Sequence, residues 1–109
     1  MKKTGYIVVL ISASSQKEAL RIKEALLFQR LAGCINLVKG IDSFFWWKGK
    51  VETSREVLLL VKTRESNFQK VAALVKKLHS YQTPEIIALP ITAGYQPYLA
   101  WLEEATSIP

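Results

Sequence analysis

One short segment of the sequence holds several side chains that could do chemistry. His79, the single histidine of the chain, is followed closely by Tyr81 and Glu85. Apolar residues recur with helical spacing before this segment, and an apolar run typical of a short buried strand follows it. The residue before Pro84 is biased towards an extended backbone, which directs Glu85 into that strand. A helix-to-strand junction that combines imidazole, phenol and carboxylate groups is therefore the first candidate site.

The chemistry that these groups suggest is metal binding. Copper and zinc prefer thiolate and imidazole ligands, and Cys34 is the only thiol of the chain. We predict His79, Glu85 and Cys34 as metal ligands, with Tyr81 as an orienting residue. One thiol and one imidazole are too few for a closed four-ligand site, so a tight site must add carboxylates or span subunits.

Each of these residues also has a structural interpretation. His79 is predicted at a helix C-terminus, where the carbonyl dipoles favour a protonated ring and the imidazole can cap free carbonyls. Glu85 can bind a backbone N–H or a lysine. Cys34 lies in an apolar context that is typical of core packing. No cysteine–histidine pair, phosphate loop or carboxylate pair supports catalysis, so we expect no enzyme.

The elements that must position these residues begin with a central strand at residues 5–12, expected to be buried on both faces. A helix capped by Ser14 or Ser15 is predicted to run to about residue 31 and to end at Gly33. A long strand follows at residues 34–47, with a bulge expected near Gly40.

The remaining elements are predicted in the second half of the chain. Residues 48–50 form a hairpin tip, and residues 51–63 return as the partner strand. Ser66 or Asn67 is expected to cap the second helix, which leads into the short strand at residues 86–89. A short C-terminal helix is predicted at residues 97–105. The order predicts one α+β domain over residues 1–109, with a ferredoxin-like split β-α-β fold, a long central hairpin and a short C-terminal helix.

Four consecutive aromatic residues lie near the end of the long strand. They are Phe44, Phe45, Trp46 and Trp47. Neighbouring strand residues point to opposite faces, so one sheet face cannot bury all four. A packed hairpin covered by Trp101 is one explanation, but a hairpin that is apolar on both sides favours self-association.

Composition excludes several classes of protein. The formal charge of +6 comes from scattered lysine and arginine residues, many beside glutamates, which is typical of solvated helix faces rather than of nucleic-acid binding. The apolar runs are too short to cross a bilayer, and no signal-peptide pattern follows the N-terminus, so we expect a cytoplasmic protein without a membrane partner. The single cysteine excludes an intrachain disulfide.

Five ordered blocks of the sequence resemble the CutA divalent-cation-tolerance family. They are residues 31–37 (LAGCINL), 43–50 (SFFWWKGK), 56–63 (EVLLLVKT), 79–90 (HSYQTPEIIALP) and 94–101 (GYQPYLAW). The resemblance covers nearly the full chain, and five blocks with near-family spacing are far more specific than one short motif.

The resemblance implies a ferredoxin-like subunit in a stable homotrimer, linked to tolerance of copper and other divalent cations, without enzymatic activity. Long hairpins then extend the sheets of neighbouring subunits. We also predict Tyr81 and Pro84, together with the aromatic hairpin, as interface residues. Some relatives carry a cysteine and a second histidine where this chain has Ser12 and Leu78, so two potential ligands are missing here.

Two alternative functions share this fold. A regulatory trimer similar to PII proteins would bind a small anionic metabolite in a cleft between subunits, using Lys50, Lys62 or Arg64. A scaffold whose trimer is itself the function would bind no ligand. An RNA-binding sheet is disfavoured because the aromatic residues cluster at a hairpin end rather than on the two central strands.

Overall fold

The computed structural model describes residues 3–107, which form four strands and three α-helices. They are β1 (Tyr6–Ala13), α1 (Gln16–Phe28), β2 (Cys34–Trp47), β3 (Lys50–Arg64), a 3-10 turn (Glu65–Asn67), α2 (Phe68–Leu78), β4 (Ile86–Pro90) and α3 (Gln96–Ala105). The strands form one antiparallel sheet in the order β2-β3-β1-β4. This order and the pair of helices on one face confirm the predicted α+β ferredoxin-like fold.

The core lies between one face of the sheet and the layer formed by α1 and α2. Alternate residues of β1 and β3, such as Val9 and Val61, are fully buried beneath Ile22, Leu26 and Val75 of the two helices. On the opposite face of β1, the side chains of Tyr6, Val8 and Leu10 are only half-buried in the single chain. The prediction that this strand is buried on both faces is therefore wrong for one subunit. α3 packs against β3 at one end of the second face.

α1 begins as predicted and ends early. Ser15 is the N-cap and its hydroxyl accepts a hydrogen bond from the backbone N–H of Glu18 at 3.1 Å. The helix ends at Phe28 because Arg30 adopts a left-handed backbone with φ 55°. Gly33, predicted as the helix stop, is needed for packing instead, since a Cβ there would lie 2.5 Å from Leu102 of α3.

α2 lacks the predicted side-chain cap. Asn67 occupies the N-cap position without capping the helix, because its side-chain amide donates to the Thr63 hydroxyl at 3.1 Å. Helix initiation therefore relies on the preceding 3-10 turn rather than on Ser66 or Asn67.

β4 is an edge strand rather than a buried one. It pairs only with β1, and its side chains at Ile87 and Leu89 are about half exposed. The prediction of a buried strand is therefore wrong for the single chain, because nothing within residues 3–107 covers this edge.

No helix in the described part of the chain is long and apolar enough to span a membrane.

The β2–β3 hairpin extends far beyond the sheet. Its two-residue turn uses positive φ at Lys48 and Gly49, and the register shifts between Val38 and Ile41 around Gly40, as predicted. β1 stops pairing with β3 at Val57, so residues 41–47 and 50–56 pair only with each other. Seven residues of extended strand project about 23 Å.

Candidate functional site

His79 forms the C-cap of α2 and its side chain is fully buried. The backbone N–H of Tyr81 donates to Nδ1 at 3.0 Å, so Nδ1 carries no hydrogen. Nε2 therefore holds the proton and donates to the carbonyl oxygen of Ser12 at 2.7 Å. The ring therefore bonds to a carbonyl of β1 rather than to the helix carbonyls that it was expected to cap.

Glu18 lies beside this histidine and was missed as a site residue by sequence reasoning. Its carboxylate, in a residue only 4% exposed, accepts hydrogen bonds from the N–H and hydroxyl of Ser14 and from the N–H of Ser80. Burial alone raises the pKa of Glu18, but these bonds outweigh it and hold the pKa below its ordinary value. A glutamate three residues after the Ser15 cap is a capping-box pattern. This pattern could have predicted from the sequence that the Glu18 side chain turns back towards the helix N-terminus.

Tyr81 connects the same junction to the base of the hairpin. Its hydroxyl donates to Oε2 of Glu56 at 2.7 Å, and Glu56 is buried. Burial, followed by the bond to Glu56, raises the pKa of Tyr81. The backbone N–H of Tyr81 also fixes the ring of His79. No sequence signal identified Glu56, since a glutamate in an alternating strand normally faces solvent.

Glu85 stands apart from this buried group. It is exposed, and within residues 3–107 its carboxylate forms neither a hydrogen bond nor an ion pair. Pro84 before it is half-buried. Glu85 is thus a free carboxylate next to the junction, and neither structural role expected for it, a bond to a backbone N–H or to a lysine, is present.

Cys34 is half-buried at the start of β2, at the other end of the sheet. Its Sγ lies 4.0 Å from Nζ of Lys62 and 3.9 Å from the side-chain oxygen of Asn36. Burial and a hydrogen bond with Cys34 raise the pKa of Tyr98 on α3. Cys34 and Val8 both pair with Lys62, and Ser12 lies four residues further along β1, a distance of about 13 Å.

The three predicted ligands therefore do not form one site within a subunit. His79 uses both ring nitrogens in buried hydrogen bonds, and the sheet register separates it from Cys34. Among residues 3–107, no group of three or more His, Cys, Asp or Glu side chains is placed to hold a metal ion. The single subunit does not fit a closed metal centre, and the proposed ligand set stays a prediction.

The aromatic residues of the hairpin are exposed on both faces. Phe44 and Trp46 are 70% and 75% exposed on one face, and Phe45 and Trp47 on the other are 38% and 46% exposed. Phe44 and Trp46 lie on the face that the helices cover elsewhere, but the helices do not reach the hairpin. Trp101, the lid in the alternative of a packed hairpin, lies against Tyr98 within α3, with ring centroids 5.5 Å apart and ring planes tilted by 37°.

The three cationic groups considered for a metabolite cleft lie at opposite ends of β3. Lys50 lies at the hairpin turn, and the ammonium group of Lys62 donates to Asn36 at 2.6 Å. Arg64 is bound to Glu103 and to the carbonyl oxygen of Thr106. Lys62 and Arg64 are thus already engaged within the subunit, and the metabolite sensor stays a prediction.

Comparison with known proteins gives a consistent similarity over nearly the whole chain. Residues 7–105 match the model of the CutA1 divalent ion tolerance protein. The divalent-cation tolerance protein CutA of Thermus thermophilus is 48% identical over 91% of this chain and 96% of its own length. A rice protein named CutA 1, chloroplastic, is 43% identical over 92% of this chain, which spans only 56% of the rice protein.

A solved structure shows the same likeness in three dimensions. The periplasmic divalent cation tolerance protein CutA from Archaeoglobus fulgidus superposes with a TM-score of 0.91 at 43% identity, covering 94% of this chain and 99% of that one. The relatives are thus named for different compartments, and the cytoplasmic location expected here stays a prediction.

Proposed function

The chain belongs to the CutA1 divalent ion tolerance family, and from this premise we propose that it acts in divalent-cation tolerance as a non-enzymatic homotrimer. The observation that carries the proposal is the projecting hairpin, which exposes aromatic side chains on both faces. A two-stranded ribbon is only marginally stable alone in water. Contact with neighbouring copies supplies the apolar cover that the single chain lacks.

Other surfaces of the subunit support assembly. β4 leaves a free edge with exposed Ile87 and Leu89, and β2 leaves the opposite edge unpaired. Unpaired edges next to apolar side chains are surfaces on which another chain can add a strand. Tyr81, bound to Glu56 at the hairpin base, and Pro84 lie beside the region that such contacts would cover.

We place cation binding between subunits, at the α2–β4 junction. Glu85 is the free carboxylate of this junction, whereas His79 is occupied in holding the loop. A carboxylate from one chain and groups of a neighbour then form a weak, open site for copper or another divalent cation. Cys34 lies too far along the sheet to join the same site from one chain.

The experiment combines light scattering with calorimetric titration of copper(II) into tag-free protein. We expect a trimer, saturable binding at an integral number of ions per trimer, and at least about tenfold weaker binding in Glu85→Gln. Glu104→Gln, which removes another exposed carboxylate, is the matched control and should bind copper normally. A monomer would contradict the assembly, and unchanged affinity in Glu85→Gln would contradict the cation site.

A further inference from the structure

The excess positive charge of the chain lies on the helix layer and at the N-terminus. Residues 34–64 and 85–105, which form most of the sheet, the hairpin and α3, contain six cationic and six anionic side chains and are balanced. Residues 16–30 and 65–78, which include α1 and α2, contain seven cationic and only three anionic side chains. The sequence alone suggested that neighbouring glutamates neutralise these cations.

In the folded chain, fewer glutamates are available to neutralise the cations of the helix layer. Glu18 turns inward and is saturated by Ser14 and Ser80, so only Glu24 and Glu65 remain exposed on the helix layer. Within residues 3–107, none of the lysines or arginines of α1 and α2 forms an ion pair. Arg21 and Lys76 donate to the backbone carbonyl oxygens of Leu78 and Gln82, which carry no formal charge.

Exposed apolar side chains accompany this charge. On α1, Lys17, Arg21, Glu24 and Phe28 follow one another at helical spacing on the solvent side. Phe28 is 87% exposed at the end of this stripe. Leu20 and Leu27 of the same helix are each 40% exposed. The helix layer thus presents cations together with aliphatic and aromatic groups, although its own core-facing side is fully packed.

We propose that the outer surface of the α1–α2 layer docks reversibly on an anionic phospholipid bilayer. Lysines near such a bilayer strengthen binding by roughly fivefold each, and exposed Phe and Leu side chains enter the headgroup boundary. Lys70 and Lys77 are two turns apart on the exposed side of α2. The sequence predicted no membrane partner because it contains no span, but surface docking needs none.

The composition of the surface separates lipid from other anionic partners. Two of its three large exposed apolar side chains are leucines, which cannot stack on bases as the aromatic platforms of single-strand binders do. Protein interfaces are enriched in arginine, tyrosine and tryptophan and depleted in lysine, whereas lysine supplies five of the six cations within α1 and α2. An anionic bilayer suits both the lysines and the leucines of this surface, because its lipid headgroups attract lysine and its headgroup boundary accepts aliphatic side chains.

The test is cosedimentation of the full chain with phosphatidylcholine vesicles, with and without phosphatidylserine, at about 0.1 M salt, where the Debye length is about 10 Å. We expect binding only to the phosphatidylserine vesicles. Lys70→Gln with Lys77→Gln should weaken it about 30-fold. Lys48→Gln with Lys50→Gln removes the same charge from the hairpin turn and should leave binding unchanged, whereas Phe28→Ser should weaken it.

Every other result overturns the proposal. Absence of binding to phosphatidylserine would exclude an anionic bilayer as the partner. Equal losses in the two lysine pairs would indicate net charge rather than this surface. Binding of an oligouridine RNA without binding of the vesicles would assign the surface to nucleic acid. Thermal unfolding of each variant distinguishes a lost surface from a lost fold.

Discussion

Nε2 of His79 donates to the carbonyl oxygen of Ser12 at 2.7 Å, joining the end of α2 to the central strand. The same ring receives the N–H of Tyr81 on its other nitrogen. A residue that sequence reasoning placed in a metal site is therefore an internal brace in the subunit. Metal coordination by either nitrogen would require one of these buried bonds to break.

Replacing His79 by alanine should lower the free energy of unfolding by about 2–4 kcal/mol. The substitution leaves the Ser12 carbonyl and the Tyr81 N–H without their partner and opens a cavity. Denaturant unfolding at fixed protein concentration measures the loss. Gln82→Ala changes an exposed side chain of the same loop and should be neutral. Equal stability of His79→Ala and the native protein would show that the brace contributes nothing.

Glu18 should make stability depend on pH in the acidic range. Its carboxylate has a lowered pKa in the folded chain, so it stabilises the fold fully above its ordinary value of 4.5 and loses this contribution as pH falls through the folded value. The Glu18→Gln variant should therefore show a flatter decline of unfolding free energy below pH 4.5.

The control for Glu18 is Glu24→Gln, which removes an exposed carboxylate from the same helix. It should leave the steep acidic decline in place. Denaturant titrations at a series of pH values give both slopes. Parallel curves for the native protein and Glu18→Gln would contradict the role of the buried carboxylate.

The exposed hairpin face should control assembly. Phe44→Ser combined with Trp46→Ser removes the two most exposed aromatic groups of the hairpin, and we expect dissociation of the proposed trimer because the apolar contact area is lost. Light scattering over a dilution series measures the change.

The matched control lies on the same face of the hairpin. Asp42→Ser with Arg55→Ser removes an exposed ion pair of 3.3 Å, and such pairs contribute little. This variant should remain a trimer. Retention of the trimer in the aromatic double variant would move the interface away from the hairpin.

The fold was predictable from the sequence because local signals and the global arrangement agree. The turn at Lys48 and Gly49, the bulge near Gly40 and the Ser15 cap each have a short-range pattern. The buried polar group was not predictable, because Glu18, Glu56 and His79 are far apart in sequence and meet only in the folded chain. The exposure of β4 at the sheet edge was likewise not predictable from the sequence, because an apolar strand has the same pattern whether its own chain or a neighbouring chain covers it.

The docking of α3 should depend on the small size of residue 33. Gly33→Ala would place a Cβ 2.5 Å from Cδ1 of Leu102, a fully buried side chain, and overpacking of this kind destabilises by about 1–3 kcal/mol. Leu102→Ala alone opens a cavity and should cost about 2–4 kcal/mol. In the double variant the shorter side chain makes room for the new methyl group, so its loss should be smaller than the two single losses combined. Denaturant unfolding of the native protein, the two single variants and the double variant completes this double-mutant cycle. Strictly additive losses of unfolding free energy would show that residues 33 and 102 are not in steric conflict.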